Sequence, residues 1–308
     1  MIHFIVNPVS KSGKGLKLWK NRIEPVLRAK DIGYSLDFSK EHGDVTSICS
    51  RLSRNASKEK NCTVVILGGD GTLNDAVQGI EDFENTVLAY IPAGSSNDFA
   101  RDMHLSKSVK KSLERILSGQ EPKLLDIGEV TTEKTKRRFA VSCGIGFDAA
   151  VCQRASHSYV KKTLNKFGLG KLTYLAIALR QLLSAPESDC QIEFSSGEKL
   201  LLKKFLFAAS MVHSYEGGGF KFCPKASCTD GKMNLCAVNG KSVPGILLAL
   251  PTAFFGLHGL FKGIHLLEFD SATITSDVPL WLHTDGEVWQ KSSQITVRTF
   301  EKKLKIIV

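Results

Sequence analysis

The sequence predicts an α/β domain followed by a mainly-β domain: an N-terminal parallel sheet flanked by helices, then a C-terminal antiparallel β-sandwich. Three observations predict this fold class. The chain of 308 residues suits two domains of roughly 100–200 residues each. Strand-like and helix-like segments alternate in the first third, which is typical of a parallel sheet. Beyond residue 123, short strand-like segments separated by turn residues dominate, which is typical of an antiparallel β domain.

Apolar periodicity defines the elements of the N-terminal domain. Leu16, Trp19, Ile23 and Leu27 recur at helical spacing, whereas residues 64–67 form a continuous apolar run typical of a buried strand. The predicted elements, in order, are strand 2–6, helix 15–29, strand 34–39, helix 43–53, strand 64–67, helix 73–78, strand 86–91 and helix 106–118.

The C-terminal elements are short and mostly extended. Two helical segments, 161–184 and 243–261, interrupt them. The predicted strands are 126–131, 138–142, 191–195, 200–212, 232–239, 271–276, 280–284, 294–299 and 304–308. We therefore expect one domain over 1–125, completed by 300–308, and a second domain over 126–299.

The composition is that of a folded protein with a basic surface. Lysine and arginine total 41 against 31 acidic residues, which gives a net charge of +10. This charge attracts polyanions, among them nucleic acid, nucleotides and anionic lipid headgroups, without choosing between them. The eight cysteines lack the two-residue spacing of zinc ribbons or redox motifs, which indicates reduced, buried thiols and a cytoplasmic location.

No segment of the sequence predicts a signal peptide or a transmembrane helix. Residues 1–8 begin a strand directly and lack the basic and apolar regions of a signal peptide. The apolar region 245–261 contains Pro251, His258 and three glycines, and is shorter than the roughly 20 residues of a spanning helix. We expect it to pack in a core or to face a membrane surface.

Between Val64 and Asp75, an apolar segment typical of a strand ends at Gly68 and Gly69. Asp70 follows these two glycines and precedes a third. Glycines allow backbone N–H groups to approach a ligand, and a following helix N-terminus favours phosphate. Thr72 or Asn74 is predicted to cap a helix beginning near Leu73. A carboxylate beside phosphate requires a cation, so the motif indicates a nucleotide with Mg²⁺, or else an ordinary strand-turn-helix junction.

Four further segments carry polar groups at turns. Residues 7–15 can wrap phosphate with small residues or form a solvated basic turn, and 91–101 offers the Ser95 hydroxyl. Asn97 and Asp98 either contact a ligand or cap the next helix. By themselves, 229–231 and the Asp285-Gly286 pair are typical of hairpin turns.

Taken in order, these motifs resemble the diacylglycerol kinase-like lipid kinases, a superfamily that includes sphingosine, ceramide and NAD kinases. The resemblance covers essentially the whole chain and is strongest to the soluble bacterial diacylglycerol kinases. It implies that ATP is bound with Mg²⁺ in the N-terminal domain. The implied nucleotide contacts are Asn7, Pro8, Ser10, Ser12, Gly13, Ser39, Gly68, Gly69, Asp70, Gly71, Thr72, Asn74, Gly94, Ser95 and Asn97.

The same resemblance implies the acidic groups that act in catalysis. Asp285 is the expected base and Glu287 orients the site or shares metal, with the reverse assignment left open, while Asp70 belongs to a magnesium network. A structural Mg²⁺ is expected on Asp230 with main-chain oxygens of Ser227 and Lys232. His283 is either an alternative base or a packed side chain.

The implied reaction is transfer of the γ-phosphoryl of ATP to the hydroxyl of diacylglycerol, which gives phosphatidic acid. A sphingoid base or NAD as acceptor, or a non-catalytic lipid- or nucleotide-binding protein, is the alternative. We expect peripheral association with an anionic leaflet and no nucleic-acid partner, and we leave a homodimer open. Three basic runs, either docking sites or solvated surface, are 134–138, Lys161-Lys162 and Lys203-Lys204.

Overall fold

A computed structural model describes residues 2–41, 43–59, 61–156, 188–240 and 242–308. The chain forms two compact units. The N-terminal unit comprises Met1–Ile127 and Glu301–Val308, and the C-terminal unit comprises Gly128–Phe300. The predicted helix 161–184 lies outside the described residues.

The N-terminal unit is built on a six-stranded sheet with the order β2-β1-β3-β4-β15-β5. Neighbouring strands from β2 to β15 run parallel, and β5 is antiparallel to β15. The centre of β3 is fully buried, as expected for a strand covered by helices on both faces. The strands are β1 (Ile2–Val6), β2 (Tyr34–Phe38), β3 (Cys62–Gly68), β4 (Thr86–Pro92), β5 (Lys123–Leu125) and β15 (Leu304–Ile307).

The helices of this unit pack an apolar face on the sheet. Trp19 is buried against the rings of Phe4 and Tyr34, with ring centroids 5.0 and 5.5 Å away. The helices are α1 (Ser10–Leu18), a π-helical turn (Trp19–Ile23), α2 (Glu24–Ala29), α3 (Asp44–Glu59), α4 (Asp70–Gly79), α5 (Asp98–Asp102) and α6 (Val109–Leu117).

Two predicted helix starts directly after strands are wrong, and α6 begins at Val109 rather than at residue 106. The helix expected to start at residue 15 begins at Ser10, so part of the polar loop after β1 is helical. The helix expected near Leu73 begins at Asp70, and its cap is Gly69 in an extended conformation rather than Thr72 or Asn74. In both places the helix starts at the sheet edge, because the preceding strand delivers the chain there directly.

The C-terminal unit contains a nine-stranded antiparallel sheet with the order β12-β11-β10-β8-β13-β14-β6-β7, and β9 pairs with β10 and β13. Its inner face is an apolar core that includes Phe139, Ile192 and Val297. The strands are β6 (Gly128–Thr131), β7 (Lys136–Phe139), β8 (Ser142–Gly146), β9 (Ser188–Phe194), β10 (Lys199–Met211), β11 (Met233–Asn239), β12 (Ile264–Phe269), β13 (Ser271–Thr284) and β14 (Glu287–Thr299).

The predicted fold class is confirmed: a parallel α/β domain precedes an antiparallel β-rich domain. The strands predicted at 271–276 and 280–284 form one strand, β13, whose pairing with β14 shifts register between Thr275 and Leu280. A bulge of this kind bends a strand without ending it, which explains why the sequence pattern is interrupted there.

Two described helices belong to the C-terminal unit, α7 (Phe147–Ser156) and α8 (Val243–Ala253). The predicted helix 243–261 ends eight residues early and is followed by a 3₁₀ turn at His258–Leu260. Gly256 adopts a left-handed φ of +71°, which terminates the helical path. Among the described residues, no helix is long and apolar enough to cross a bilayer. All eight cysteines are free thiols.

Candidate active site

Four polar loops of the N-terminal unit follow the carboxyl ends of β1 to β4. Asn7 follows β1, Ser39 follows β2, Gly69 follows β3 and Ala93 follows β4. Because these strands are parallel, their carboxyl ends meet at one edge of the sheet, where ligands of open α/β sheets bind. The topology therefore brings the predicted nucleotide-binding segments together.

The loops after β3 and β4 are in direct backbone contact. The Ala93 N–H donates to the carbonyl of Gly68 at 2.6 Å. A Cβ at Gly94 would lie 2.6 Å from the Cα of Gly69, so a side chain at Gly94 would force the two loops apart. Glycine at this position lets the two loops pack backbone against backbone.

A second set of contacts joins the loop after β1 to α4. Asn7 donates from Nδ2 to Thr72 Oγ1 at 3.2 Å, and its Oδ1 accepts from the Val9 N–H at 3.1 Å. Ser10 donates from Oγ to the Asn7 carbonyl at 2.9 Å. These bonds hold the start of α1 beside the first turn of α4, so two helix N-termini begin at this edge.

Asp70 and Asn97 fix the loop after β4. Asp70 Oδ2 accepts from the Asp98 N–H at 3.0 Å. Asn97 adopts a left-handed φ of +52° and does not cap α5 with its side chain; instead its Oδ1 accepts from the Gly94 N–H at 2.8 Å. Burial, and then the charges of Asp70 and Asp98, raise the pKa of Tyr90 well above its ordinary value, and its neutral hydroxyl donates to the carbonyl of Gly68 at the end of β3.

The remaining predicted nucleotide contacts differ in how accessible they are. Ser95 is exposed and Gly71 lies half-buried in the first turn of α4. Asn74 is fully buried, and its Oδ1 accepts from Gln78 within α4 at 3.5 Å. Pro8 precedes α1 and Gly13 lies within it, as does Ser12, whose side chain is not described. Thr72, Ser10 and Ser39 are buried hydroxyls at the same edge.

Asp285 lies in the C-terminal unit, in the two-residue turn between β13 and β14. Asp285 and Gly286 have φ values of +50° and +83°, the conformation of a type I′ hairpin turn. The Asp285 carboxylate accepts three backbone N–H groups at 2.8 Å each, from Ala140 to Oδ2 and from Val141 and Ser142 to Oδ1. The carboxylate is thus fixed in orientation by the segment between β7 and β8, and Glu287 follows as the half-buried first residue of β14.

The buried ring of His283 lies between two carboxylates. Its Nε2 is 3.2 Å from Asp148 Oδ2 and 3.2 Å from Glu216 Oε1, and its Nδ1 accepts from the Gly286 N–H at 3.2 Å. Burial opposes a charge on the ring, but Glu216 and then Asp148 outweigh it and raise the pKa of His283 to about 9.

These three side chains have the composition of a metal site, yet the hydrogen bond at Nδ1 argues against one. A neutral histidine that ligates a metal through Nε2 carries its proton on Nδ1. In the neutral ring Nδ1 accepts from Gly286, so the proton lies on Nε2 and points at Asp148 and Glu216. The charged ring, which the raised pKa favours, keeps that Nε2 proton and adds one on Nδ1, so neither form offers a lone pair to a metal. The trio is therefore a hydrogen-bonded charge cluster that holds the Asp285-Gly286 turn.

Asp230 lies in an exposed turn before β11. Its Oδ1 accepts from the Lys232 N–H at 2.9 Å, and Lys232 forms an ion pair with Asp270 at 2.6 Å. Thr299, at the end of β14, donates to the Gly231 carbonyl at 3.0 Å. Thr299 pairs with Gly128 on β6, and Gly128 pairs with Phe139 on β7. The next residue, Ala140, donates its backbone N–H to Asp285. The Asp230 turn is thus connected through β14, β6 and β7 to the segment whose amides bind Asp285.

Asp148 and Glu216 are absent from the candidates that the sequence predicts. Asp148 is the second residue of α7 and follows two glycines, and Glu216 precedes a run of three glycines. In the sequence, those glycines are the only nearby indication of a site, because Asp148 lies 135 residues before its partner His283. A Cβ at Gly144 would overlap both the Asp148 carboxylate and the His283 ring, which explains why glycine stands there.

Comparison with known proteins decides the family. Residues 1–130 match the diacylglycerol kinase catalytic domain, and residues 141–308 match the YegS C-terminal NAD kinase beta sandwich-like domain. The chain belongs to the diacylglycerol kinase-like lipid kinases. The predicted family and enzyme class are thereby confirmed.

Relatives of this lipid kinase match it over nearly its whole length. A protein of Staphylococcus saprophyticus subsp. saprophyticus named diacylglycerol kinase is 27% identical over 288 residues, covering 92% of this chain and 87% of the relative. A crystal structure of a diacylglycerol kinase from Bacillus anthracis str. Sterne aligns with a TM-score of 0.69 and 18% identity, covering 99% of this chain and 96% of the other. An NAD kinase from Archaeoglobus fulgidus, solved with ATP, aligns with a TM-score of 0.52 and 9% identity, covering 100% of this chain and 94% of the other. The two structural likenesses concern the fold alone.

Proposed function

We propose that this lipid kinase transfers the γ-phosphoryl group of ATP to the free hydroxyl of diacylglycerol in a Mg²⁺-dependent reaction that yields phosphatidic acid, a step of phospholipid biosynthesis. The observation that carries the proposal is the convergence of the loops after β1, β3 and β4 at one sheet edge, in a chain of this family. Relatives named diacylglycerol kinase support the choice of acceptor.

In this proposal the N-terminal unit binds ATP. The Gly69–Gly94 contact holds the loops after β3 and β4 backbone against backbone, and α4 begins beside this contact at Asp70. A helix N-terminus and unpaired amides both favour phosphate oxygens. The side chains that we assign to the nucleotide are Asn7, Ser10, Ser12, Ser39, Thr72, Asn74, Ser95 and Asn97, with backbone from Pro8, Gly13, Gly68, Gly69, Gly71 and Gly94.

The donor sets fit Mg²⁺. Asp70 is a half-buried carboxylate beside the proposed phosphate site, and Asp230 with the main-chain oxygens of Ser227 and Lys232 is an all-oxygen set of the kind that Mg²⁺ prefers. The ion would neutralise charge on the phosphates during transfer. The chain's own contribution is to hold Asp70 through the Asp98 N–H and Asp230 through the Lys232 N–H, so that each carboxylate has one defined orientation.

For the acceptor hydroxyl, we assign Asp285 as base. The hydroxyl oxygen forms a bond to the γ-phosphorus, the bond from that phosphorus to the bridging oxygen breaks, ADP leaves, and the hydroxyl proton passes to a carboxylate. Three backbone amides fix the Asp285 carboxylate, so it can meet the hydroxyl without reorganising. Glu287, two residues later, orients the acceptor, and the reverse assignment is decided by the experiment below.

The test is transfer of radiolabelled phosphate from ATP to diacylglycerol, sphingosine or NAD by the full chain, with and without Mg²⁺. We expect Mg²⁺-dependent labelling of diacylglycerol, with a loss of at least roughly 100-fold in Asp285→Asn, as removal of a general base costs. Glu287→Gln is expected to retain more activity. Asp277→Asn is the matched control, because Asp277 accepts a single amide in the same unit.

Labelling of sphingosine or NAD in preference to diacylglycerol would refute the proposed acceptor. Full activity in Asp285→Asn with loss in Glu287→Gln would reverse the two roles. Activity is normalised to the folded fraction measured by circular dichroism, because Asp285 also has a structural role.

A further inference from the structure

The C-terminal unit exposes an apolar face, formed by α8 and the segment that follows it. Phe255 is 78% exposed, Leu260 83% and Leu248 70%. Six large apolar side chains form this apolar face, namely Leu247, Leu248, Phe254, Phe255, Leu257 and Leu260. Scattered exposed apolar residues are normal in proteins, whereas a contiguous group of this kind marks an interaction surface.

The apolar face is held firmly and does not result from a frayed helix. On its inner side Ala249 and Ala253 are buried, and the Ala253 carbonyl accepts from the Lys221 N–H at 2.8 Å. The ring of Phe254 stacks on Phe220 at 4.1 Å. Farther along, the buried ring of His258 is 3.0 Å from the Phe222 carbonyl through Nε2. The backbone is thus fixed while the outer side chains remain in solvent.

Positive charge borders the apolar face. No aspartate, glutamate, lysine or arginine occurs in 243–261, and the exposed Lys262 follows directly. The neighbouring segment 217–229 also lacks acidic residues and carries Lys221 and Lys225. Contact is direct, since a Cβ at Gly256 would lie 2.9 Å from Pro224 and 3.5 Å from the Lys221 side chain.

We propose that this apolar face inserts into the headgroup region of a lipid leaflet that contains anionic lipids, with Lys221, Lys225 and Lys262 at the phosphate level. The inference rests on the proposed function, because an acceptor with two acyl chains resides in a leaflet. Interfacial segments of membrane-bound proteins combine an apolar side with flanking lysines, and lysine stems extend along apolar surface while their charge stays at the interface.

The predicted basic runs suit this role less well. Lys203 forms an ion pair with Asp189 at 2.5 Å, and the backbone N–H of Lys204 donates to the same carboxylate, which places a negative charge beside this basic run. The side chains of Arg137 and Arg138 lie over the rings of Trp289 and Phe300. Lys161 and Lys162 lie outside the described residues. Charge alone would give weak, salt-sensitive attraction, whereas the apolar face supplies burial.

The experiment measures binding of the full chain, without ATP, to phosphatidylcholine vesicles with and without phosphatidylglycerol. The variant is Leu248→Ser with Phe255→Ser, and Leu201→Ser is the matched control, since Leu201 is 68% exposed on β10. We expect the double variant to lower the partition coefficient roughly 100-fold, about tenfold for each inserted side chain. Leu201→Ser should bind as the wild type does.

Two further measurements separate the alternatives. Lys225→Gln with Lys262→Gln should lower binding only to the vesicles that contain phosphatidylglycerol. Should the double variant melt at a lower temperature, Leu260→Ser replaces it, because that side chain is the most exposed of the set. Unchanged vesicle binding in these variants, or a wild-type dimer that the double variant dissociates without loss of vesicle binding, would overturn the inference.

Kinase activity distinguishes this inference from the proposed function. With water-soluble short-chain diacylglycerol the double variant should equal the wild type, while with vesicle-embedded diacylglycerol it should be slower in proportion to its weaker binding. A wild type that binds vesicles through this face but phosphorylates no diacylglycerol would refute the proposed substrate and leave the docking surface in place.

Discussion

Replacement of Asp285 is predicted to reduce stability to a degree that depends on the substituent. Asp285→Ala removes the two carboxylate oxygens that accept three hydrogen bonds from the buried amides of Ala140, Val141 and Ser142. A hydrogen bond to a charged group contributes roughly 1.5–3 kcal/mol, so the loss amounts to about 5–9 kcal/mol in the absence of rehydration. Alanine at a φ of +50° adds about 1–2 kcal/mol of backbone strain.

Asp285→Asn should be milder. Asparagine tolerates the left-handed conformation, and its Oδ1 can still accept from Val141 and Ser142, as neutral hydrogen bonds of roughly 0.5–1.5 kcal/mol each. Its Nδ2 faces the Ala140 N–H and cannot accept from it, so the total loss is roughly 3.5–6 kcal/mol. Since domains are stable by roughly 5–15 kcal/mol, the alanine variant should be largely unfolded at room temperature and the asparagine variant folded.

Urea denaturation followed by tryptophan fluorescence and circular dichroism measures both variants, with Asp277→Asn as control for an exposed single-amide site. The order of stability should be wild type, then Asp285→Asn, then Asp285→Ala, with a gap of about 3 kcal/mol between the variants. Equal stability of the two variants, within about 1 kcal/mol of the wild type, would show that the three amides do not depend on this carboxylate.

Two further predictions concern the cluster around His283. Because the pKa of His283 is raised from 6.5 to about 9, its charge stabilises the folded chain fully below pH 6.5, and this contribution is lost as the pH rises through 9. Urea denaturation at pH 6.5 and at pH 9 should show that the free energy of unfolding of the wild type falls by up to about 3 kcal/mol. The neutral ring accepts a hydrogen bond from Gly286, which makes this loss smaller. His283→Gln should lose little between the two pH values, and the same pH dependence in both proteins would contradict the assignment. Gly144→Ala should lower the melting temperature by several degrees, because overpacking of this kind costs roughly 1–3 kcal/mol. Gly33→Ala is the control and should not lower it, since a Cβ at Gly33 would have open space around it. Equal melting temperatures of the two variants would show that the cluster can move aside.

Local sequence patterns were sufficient for much of the fold. The continuous apolar run in β3 and the alternation of strands and helices predicted a parallel sheet, because a strand covered on both faces must be apolar throughout. Helix starts were less predictable. Asp70 and Ser10 begin their helices earlier than the pattern of apolar residues indicates, since a glycine cap and a sheet edge, rather than a side-chain cap, set those starts.

The Asp285-Gly286 pair shows why a motif does not define a role. The dipeptide predicts a hairpin turn from φ preferences alone, and the structure has that turn. The resemblance to lipid kinases assigns Asp285 to catalysis. Only the folded chain shows that the same carboxylate accepts three amides from residues more than 140 positions earlier, which gives it a structural role as well.

By itself, the sequence determined the elements whose causes are local: buried strands, glycine turns and the membership in a family that successive motifs indicate. Only the tertiary structure decided which polar groups meet. Asp148, Glu216 and His283 follow or lie on separate strands and come together because β8 lies between β10 and β13. Among the described residues, the inner side of α8 is buried against the unit and its outer apolar side chains are exposed. Pairings of this kind follow from sheet order and packing, which involve residues far apart in the chain and leave no periodic signal within any one segment.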